Sequence, residues 1–141
     1  MASAIFEDTK VPVRYKLAAM WTCVMFCYVY GDYFELYVPG KLQEMLNGEM
    51  ALGPVTQGLL VGTAVLMAIP SLMIALSLSL PAPVCRWANM GVGLFYATVM
   101  FLIMLNGAWA FYMLFAALEI LLTLTAVFLA WSWPRQLRDA A

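Results

Sequence analysis

Apolar residues in this chain come in four long runs, with short clusters of polar and turn-forming residues between them. The runs fall at about residues 13–37, 54–80, 87–105 and 109–133. Each is about 20 residues or more, and at about 1.5 Å per residue that is enough to cross a hydrocarbon core of about 30 Å. The punctuation agrees with helices. Pro12 suits a first helical turn, where a missing N–H is harmless. Pro39-Gly40 stops the first run, Asn106-Gly107 is a tight-turn signal, and Pro134 closes the last run. The predicted fold is all-α: a single domain over residues 1–141, a polytopic membrane protein built as an antiparallel four-transmembrane-helix bundle.

The connections carry their own pattern. Residues 40–52 form the longest one, with Leu42, Met45 and Leu46 on one side of a short helix. That spacing predicts an extracytoplasmic amphipathic turn lying on the membrane surface, or a lid over the acids that precede it. Pro81 to Trp87 reads as a short stiff turn that includes Cys85. Gly58 and Gly62 are spaced for close helix approach, which is expected within the bundle. The entry Asn89–Gly93 is small enough for tight packing. Pro70 sits inside the second run and should release one backbone carbonyl. Basic residues then orient the bundle. Lys10, Arg14, Lys16, Arg86, Arg135 and Arg138 fall on one side, and of the seven only Lys41 falls on the other. Both termini are therefore expected in the cytoplasm. Trp87, Trp131 and Trp133 would mark the inner interface, and Tyr33, Tyr37 and Trp109 the outer one.

Composition makes the membrane reading firm. The chain is 65% hydrophobic and 11% charged, against about 45–50% and about 25% for soluble domains. Mean hydropathy is +0.89. A net charge of −1 gives no reason to expect nucleic-acid binding. The polar residues 1–16 do not resemble a cleavable signal, so the first helix is expected to stay in the mature protein. There is no histidine, and the three cysteines form no CxxC pair. The usual haem, zinc and di-iron ligand sets are thus absent, and no cofactor is expected.

Chemistry concentrates at one stretch, Trp21 to Pro39. Trp21, Met25, Tyr28, Asp32 and Glu35 share one helix face. Acids on a membrane helix are costly and usually face protein or a water-filled cavity. Gly31, just before Asp32, permits a kink or a close contact. Gln57 sits at similar height on the second helix. Glu119 differs, lying about ten residues into the last helix and so near mid-membrane. It shares a face with Tyr112, Phe115, Ala116, Thr123 and Ala126. No lysine or arginine lies at its depth, so it is expected to be protonated or hydrogen-bonded to a tyrosine, a threonine or a backbone carbonyl. The candidate ligand- or ion-binding set is Tyr28, Asp32, Glu35, Gln57 and Glu119.

The segments Tyr30–Gly40 (YGDYFELYVPG), the Pro70 helix, Gly91–Tyr96 (GVGLFY) and Ala130–Pro134 (AWSWP) carry a resemblance. Together they resemble a family of bacterial four-helix inner-membrane proteins known as a domain of unknown function. The architecture is more loosely similar to DoxX-like proteins. The resemblance implies location and fold and brings no activity. Two functions stay open. One is ion- or proton-linked transport or small-ligand binding, in a bundle thin enough to need a second copy. The other is a non-catalytic accessory or assembly subunit of a larger membrane complex. An enzyme is the weaker reading, since a carboxylate pair alone is a poor catalytic signal. Expected partners are the lipid bilayer and a second copy or a membrane protein.

Overall fold

The computed structural model describes residues 9–51 and 53–134. Four long helices dominate them: α1 (Val13–Glu35), α3 (Gln57–Ser79), α4 (Ala82–Leu105) and α5 (Ala110–Trp131). The connection after α1 holds a short helix, α2 (Lys41–Leu46), and a two-stranded hairpin, β1 (Glu49–Met50) with β2 (Gly53–Pro54). Helices α3, α4 and α5 are each long and apolar enough to cross a membrane. At 23 residues α1 has the same length, but it carries Arg14, Lys16, Asp32 and Glu35. Arg135 and Arg138 lie outside the described residues.

Local chemistry explains where the boundaries differ from expectation. The α3 helix starts at Gln57, because Pro54 is taken up by the hairpin and Thr56 Oγ1 accepts the Leu59 N–H at 3.2 Å. The stretch Pro81 to Trp87 is not a loop. Pro81 is the N-cap of α4 and Pro83 sits in its first turn, where missing N–H groups have no helical acceptor to disappoint. Cys85 is therefore a fully buried helix residue whose Sγ donates to Ser77 O at 3.4 Å. Gly40 takes a left-handed φ of 89° and turns the chain into α2.

The long helices alternate in direction. Arg14 near the start of α1 reaches the end of α3, donating to Leu78 O (3.0 Å) and Leu80 O (2.6 Å). Arg86 near the start of α4 donates to Ala130 O at 3.1 Å and Trp131 O at 3.4 Å at the end of α5. Each guanidinium thus satisfies carbonyls that a helix end leaves open, on the negative end of its dipole. At the other end Phe34 of α1 lies 6.2 Å from Phe111 and 6.3 Å from Phe115 near the start of α5. Helix α1 packs between α3 and α5, and α5 packs between α1 and α4. Trp87, Trp131 and Trp109 are exposed at the two ends of the bundle, as interfacial anchors would be.

The core is built from large side chains on α1 and α4 meeting small ones on α5. Trp21, Val24, Tyr28, Met73, Tyr96, Met100 and Ala116 form its centre. Leu17, Cys85, Met90, Ala126 and Ala130 fill the end where α1 and α4 begin. A polar knot crosses it. Trp21 Nε1 donates to Asn89 Oδ1 at 2.7 Å, and Ser77 Oγ donates to the same oxygen at 3.3 Å. Asn89 Nδ2 returns to Cys85 O at 2.8 Å. Three helices are thereby tied through one amide. The small entry of α4 packs as its composition suggests at Gly93, where an added Cβ would meet Val127 Cγ2 at 2.6 Å and Thr123 O at 3.1 Å. The Gly58/Gly62 pair does the opposite. Both glycines are exposed with open space beside them, so packing within the bundle is not their role. The reason is that α3 buries residues only in its second half, at Pro70, Met73 and Ser77, while the glycines sit in its first half, which buries none.

Pro70 behaves as its position dictates. It removes the N–H that would bond Leu66 O, and the Tyr96 hydroxyl from α4 donates to that carbonyl instead. Tyr96→Phe should therefore lower stability by about 0.6–1.7 kcal/mol, the range for an interhelical bond in a membrane bundle. In a Pro70→Ala background residue 70 regains an N–H for Leu66 O, so the same change should cost less than half as much. A double-mutant cycle measured by thermal melting in detergent checks this. Equal losses in both backgrounds would show that the hydroxyl has no dependence on the proline.

Candidate functional site

Two helix stripes meet at the end of the bundle where α1 finishes and α5 begins. On α1 the stripe is Tyr28 and Asp32, four residues apart, with Gly31 beside them. On α5 it is Tyr112, Phe115, Ala116 and Glu119, at spacings of three and four that keep one face. Because α1 and α5 are antiparallel neighbours, the stripes face each other, and Met100 of α4 closes the inner side. The space they enclose is about 10 Å³, room for roughly one water or a bare ion.

The polar groups around this space are incompletely satisfied. Glu119 is 2% exposed, and its Oε2 has no hydrogen-bond partner among the described residues; the same holds for Tyr28 Oη. Thr123 Oγ1 donates to the backbone carbonyl of Glu119 at 2.7 Å, so the expected threonine is present but bonds the wrong oxygen to neutralise the acid. Gly31 is buried, and a Cβ there would meet nothing within 4 Å. That absent side chain keeps room beside the two acids. Asp32 is on the exposed side of the cavity. The site therefore leads from an exposed carboxyl near a helix end to a buried one about half-way along α5.

Not every candidate residue is gathered here. Glu35 turns to Lys41, with Nζ–Oε1 at 2.7 Å, and Glu44 Oε2 stands 3.9 Å from the same ammonium. The Glu35 hydrogen bond holds the Lys41 ammonium above its ordinary range. This pair pins α2 to the end of α1, while α2 itself has no buried residue. Gln57 is exposed at the first turn of α3 and does not line the cavity. Tyr112, Met100 and Gly31 do line it and were not among the candidates. Tyr112 was within reach of sequence reasoning, since it lies seven residues before Glu119 on the same face. Among the described residues no group of three or more histidine, cysteine or acidic side chains could hold a metal ion. Cys23, Cys27 and Cys85 are free thiols.

Residues 4–139 match a family of unknown function, DUF6326, and the chain belongs to that family. No curated protein and no solved structure matches it, so the looser likeness to DoxX-like proteins has no further support.

Proposed function

We propose that this chain crosses a bacterial inner membrane four times, with both termini cytoplasmic, and that its Tyr28–Asp32–Tyr112–Glu119 cavity takes up a proton or a small cation for ion- or proton-linked transport. The observation that carries the reading is the pairing of two unpartnered buried polar atoms, Tyr28 Oη and Glu119 Oε2, on one water-sized cavity. Buried polar groups are nearly always bonded, so such atoms point to an occupant. An acid at this depth asks for neutralisation by a proton or a cation, because an unpaired charge there is very costly. Asp32 supplies a second carboxyl on the exposed side, which suits entry from outside the bundle. Four crossings rest on α1 having the length of the other helices and its charges near its two ends. The cytoplasmic orientation rests on Lys10, Arg14, Lys16 and Arg86 gathering where α1 and α4 begin.

The accessory-subunit reading draws on one feature. Gly58, Val61, Gly62 and Val65 on α3 are all exposed, a smooth face that a partner helix or a second copy would cover. Infrared difference spectroscopy on the protein in lipid separates the two. A carboxyl band that shifts with pH near neutrality or on adding sodium or potassium, and that disappears in Glu119→Gln, is the expected result. Asp32→Asn should alter the response without abolishing the band. Carboxyl bands indifferent to pH and cations in the native protein would sink the transport reading and leave the accessory one.

A further inference from the structure

The opposite end of the bundle holds a second, much larger space that the acid site does not use. It is an open depression of about 850 Å³ between the starts of α1 and α4 and the chain that leaves α5. Three cationic side chains line it: Lys10, Arg14 and Arg86. The guanidinium of Arg14 lies 5.7 Å from the Trp133 ring, and that of Arg86 lies 5.6 Å from Trp87 and 5.7 Å from Trp131. Both helices that open onto the depression begin there, so their positive dipole ends face it. The carbonyl ends of α3 and α5, which would offset this, are already capped by the two arginines. Among the described residues no acid lines the depression. Of the described acids, Asp32, Glu35, Glu44 and Glu49 are at or beyond the far end of α1, and Glu119 is about half-way along α5; Glu7, Asp8 and Asp139 lie outside the described residues.

We infer that this depression binds a phosphate-bearing anion, either the headgroup of an anionic phospholipid or free phosphate. The charge balance of the described lining residues, three cations and no acid, asks for an anion. The volume admits a headgroup, and the tryptophans sit where a bilayer surface would meet the helix ends. Among the described residues Lys10 makes none of the hydrogen bonds that hold the fold, which leaves its ammonium for the ligand. Arg14 and Arg86 have spent part of their donors on carbonyls and add field and residual N–H groups.

The test uses the full-length protein in detergent, followed by thermal melting during titration with phosphatidylglycerol, phosphatidylcholine or inorganic phosphate at constant ionic strength. Phosphatidylglycerol should stabilise the protein at lower concentration than phosphatidylcholine. Lys10→Gln should weaken that response about fivefold, the loss of one interfacial cation. Lys10→Gln combined with Arg86→Gln should weaken it further. Inorganic phosphate matching the lipid would support phosphate recognition from solution, and phosphate without effect would support the headgroup. Equal responses to the two lipids with none to phosphate, or a native-like response in both variants, would overturn the proposal.

Discussion

Gly93→Val should lower stability by about 2–3 kcal/mol, while Gly91→Val, two residues earlier on the same helix, should change it by less than about 0.5 kcal/mol. The difference is geometric. A Cβ at Gly93 would stand 2.6 Å from Val127 Cγ2 and 3.1 Å from the Thr123 backbone oxygen, whereas one at Gly91 meets nothing within 4 Å. Val127 is β-branched on a helix and has little rotamer freedom to retreat, and a backbone oxygen has none. The two helices must therefore move apart along their whole crossing. In a bilayer this matters more than usual, because van der Waals packing between helices replaces the hydrophobic drive that water would supply. Val127→Ala should recover part of the loss by removing the nearer clash. Melting temperatures of Gly93→Val, Gly91→Val and the Gly93→Val/Val127→Ala double variant in one detergent check the set. A Gly93→Val protein as stable as Gly91→Val would mean that α4 and α5 do not approach as closely as described.

Asn89→Leu is expected to be the next most damaging change, at about 1–3 kcal/mol. It strips the acceptor from Trp21 Nε1 and Ser77 Oγ together, two interhelical bonds of about 0.6–1.7 kcal/mol each in a membrane bundle. A soluble core would suffer more, but the unfolded helices in lipid also find partners. The loss should be specific. Asn89→Asp retains an acceptor oxygen and should leave the Trp21 fluorescence environment nearer to native than Asn89→Leu does. The tryptophan emission of both variants, compared with the native protein on a Trp87/Trp109/Trp131/Trp133→Phe background, measures it. Native-like emission from Asn89→Leu would show that Trp21 does not depend on this amide.

Much of this structure was legible in the chain alone. The four long helices follow from the lengths of the apolar runs and from proline and glycine at their ends. The released carbonyl at Leu66 follows from Pro70, though not which side chain would reach it. The face shared by Tyr28 and Asp32, and the isolation of Glu119, follow from helical periodicity. Other readings went astray for identifiable reasons. Pro81 and Pro83 looked like a turn because proline breaks helices in their interior, yet both are at a helix start, where the same property is harmless. Gly58 and Gly62 have a packing motif, and only the tertiary structure shows that the half of α3 carrying it buries no residue. Glu35 and Asp32 are three residues apart on one helix, but one answers to Lys41 and the other to the cavity.

What the sequence determined by itself was one-dimensional: element lengths, ends, faces, and the side of the bundle on which charge collects. These depend on near neighbours along the chain and on transfer between water and lipid, both of which a single strand of residues encodes. What only the tertiary structure decided was which faces meet. The Tyr28–Asp32 stripe of α1 opposes the Tyr112–Glu119 stripe of α5; Asn89 ties Trp21 to Ser77; Arg14 and Arg86 cap helices that begin far from them in sequence. Helix periodicity leaves each face free to rotate about its axis. That freedom is removed only when side chains of unequal size, such as Gly93 against Val127, interlock across a particular crossing.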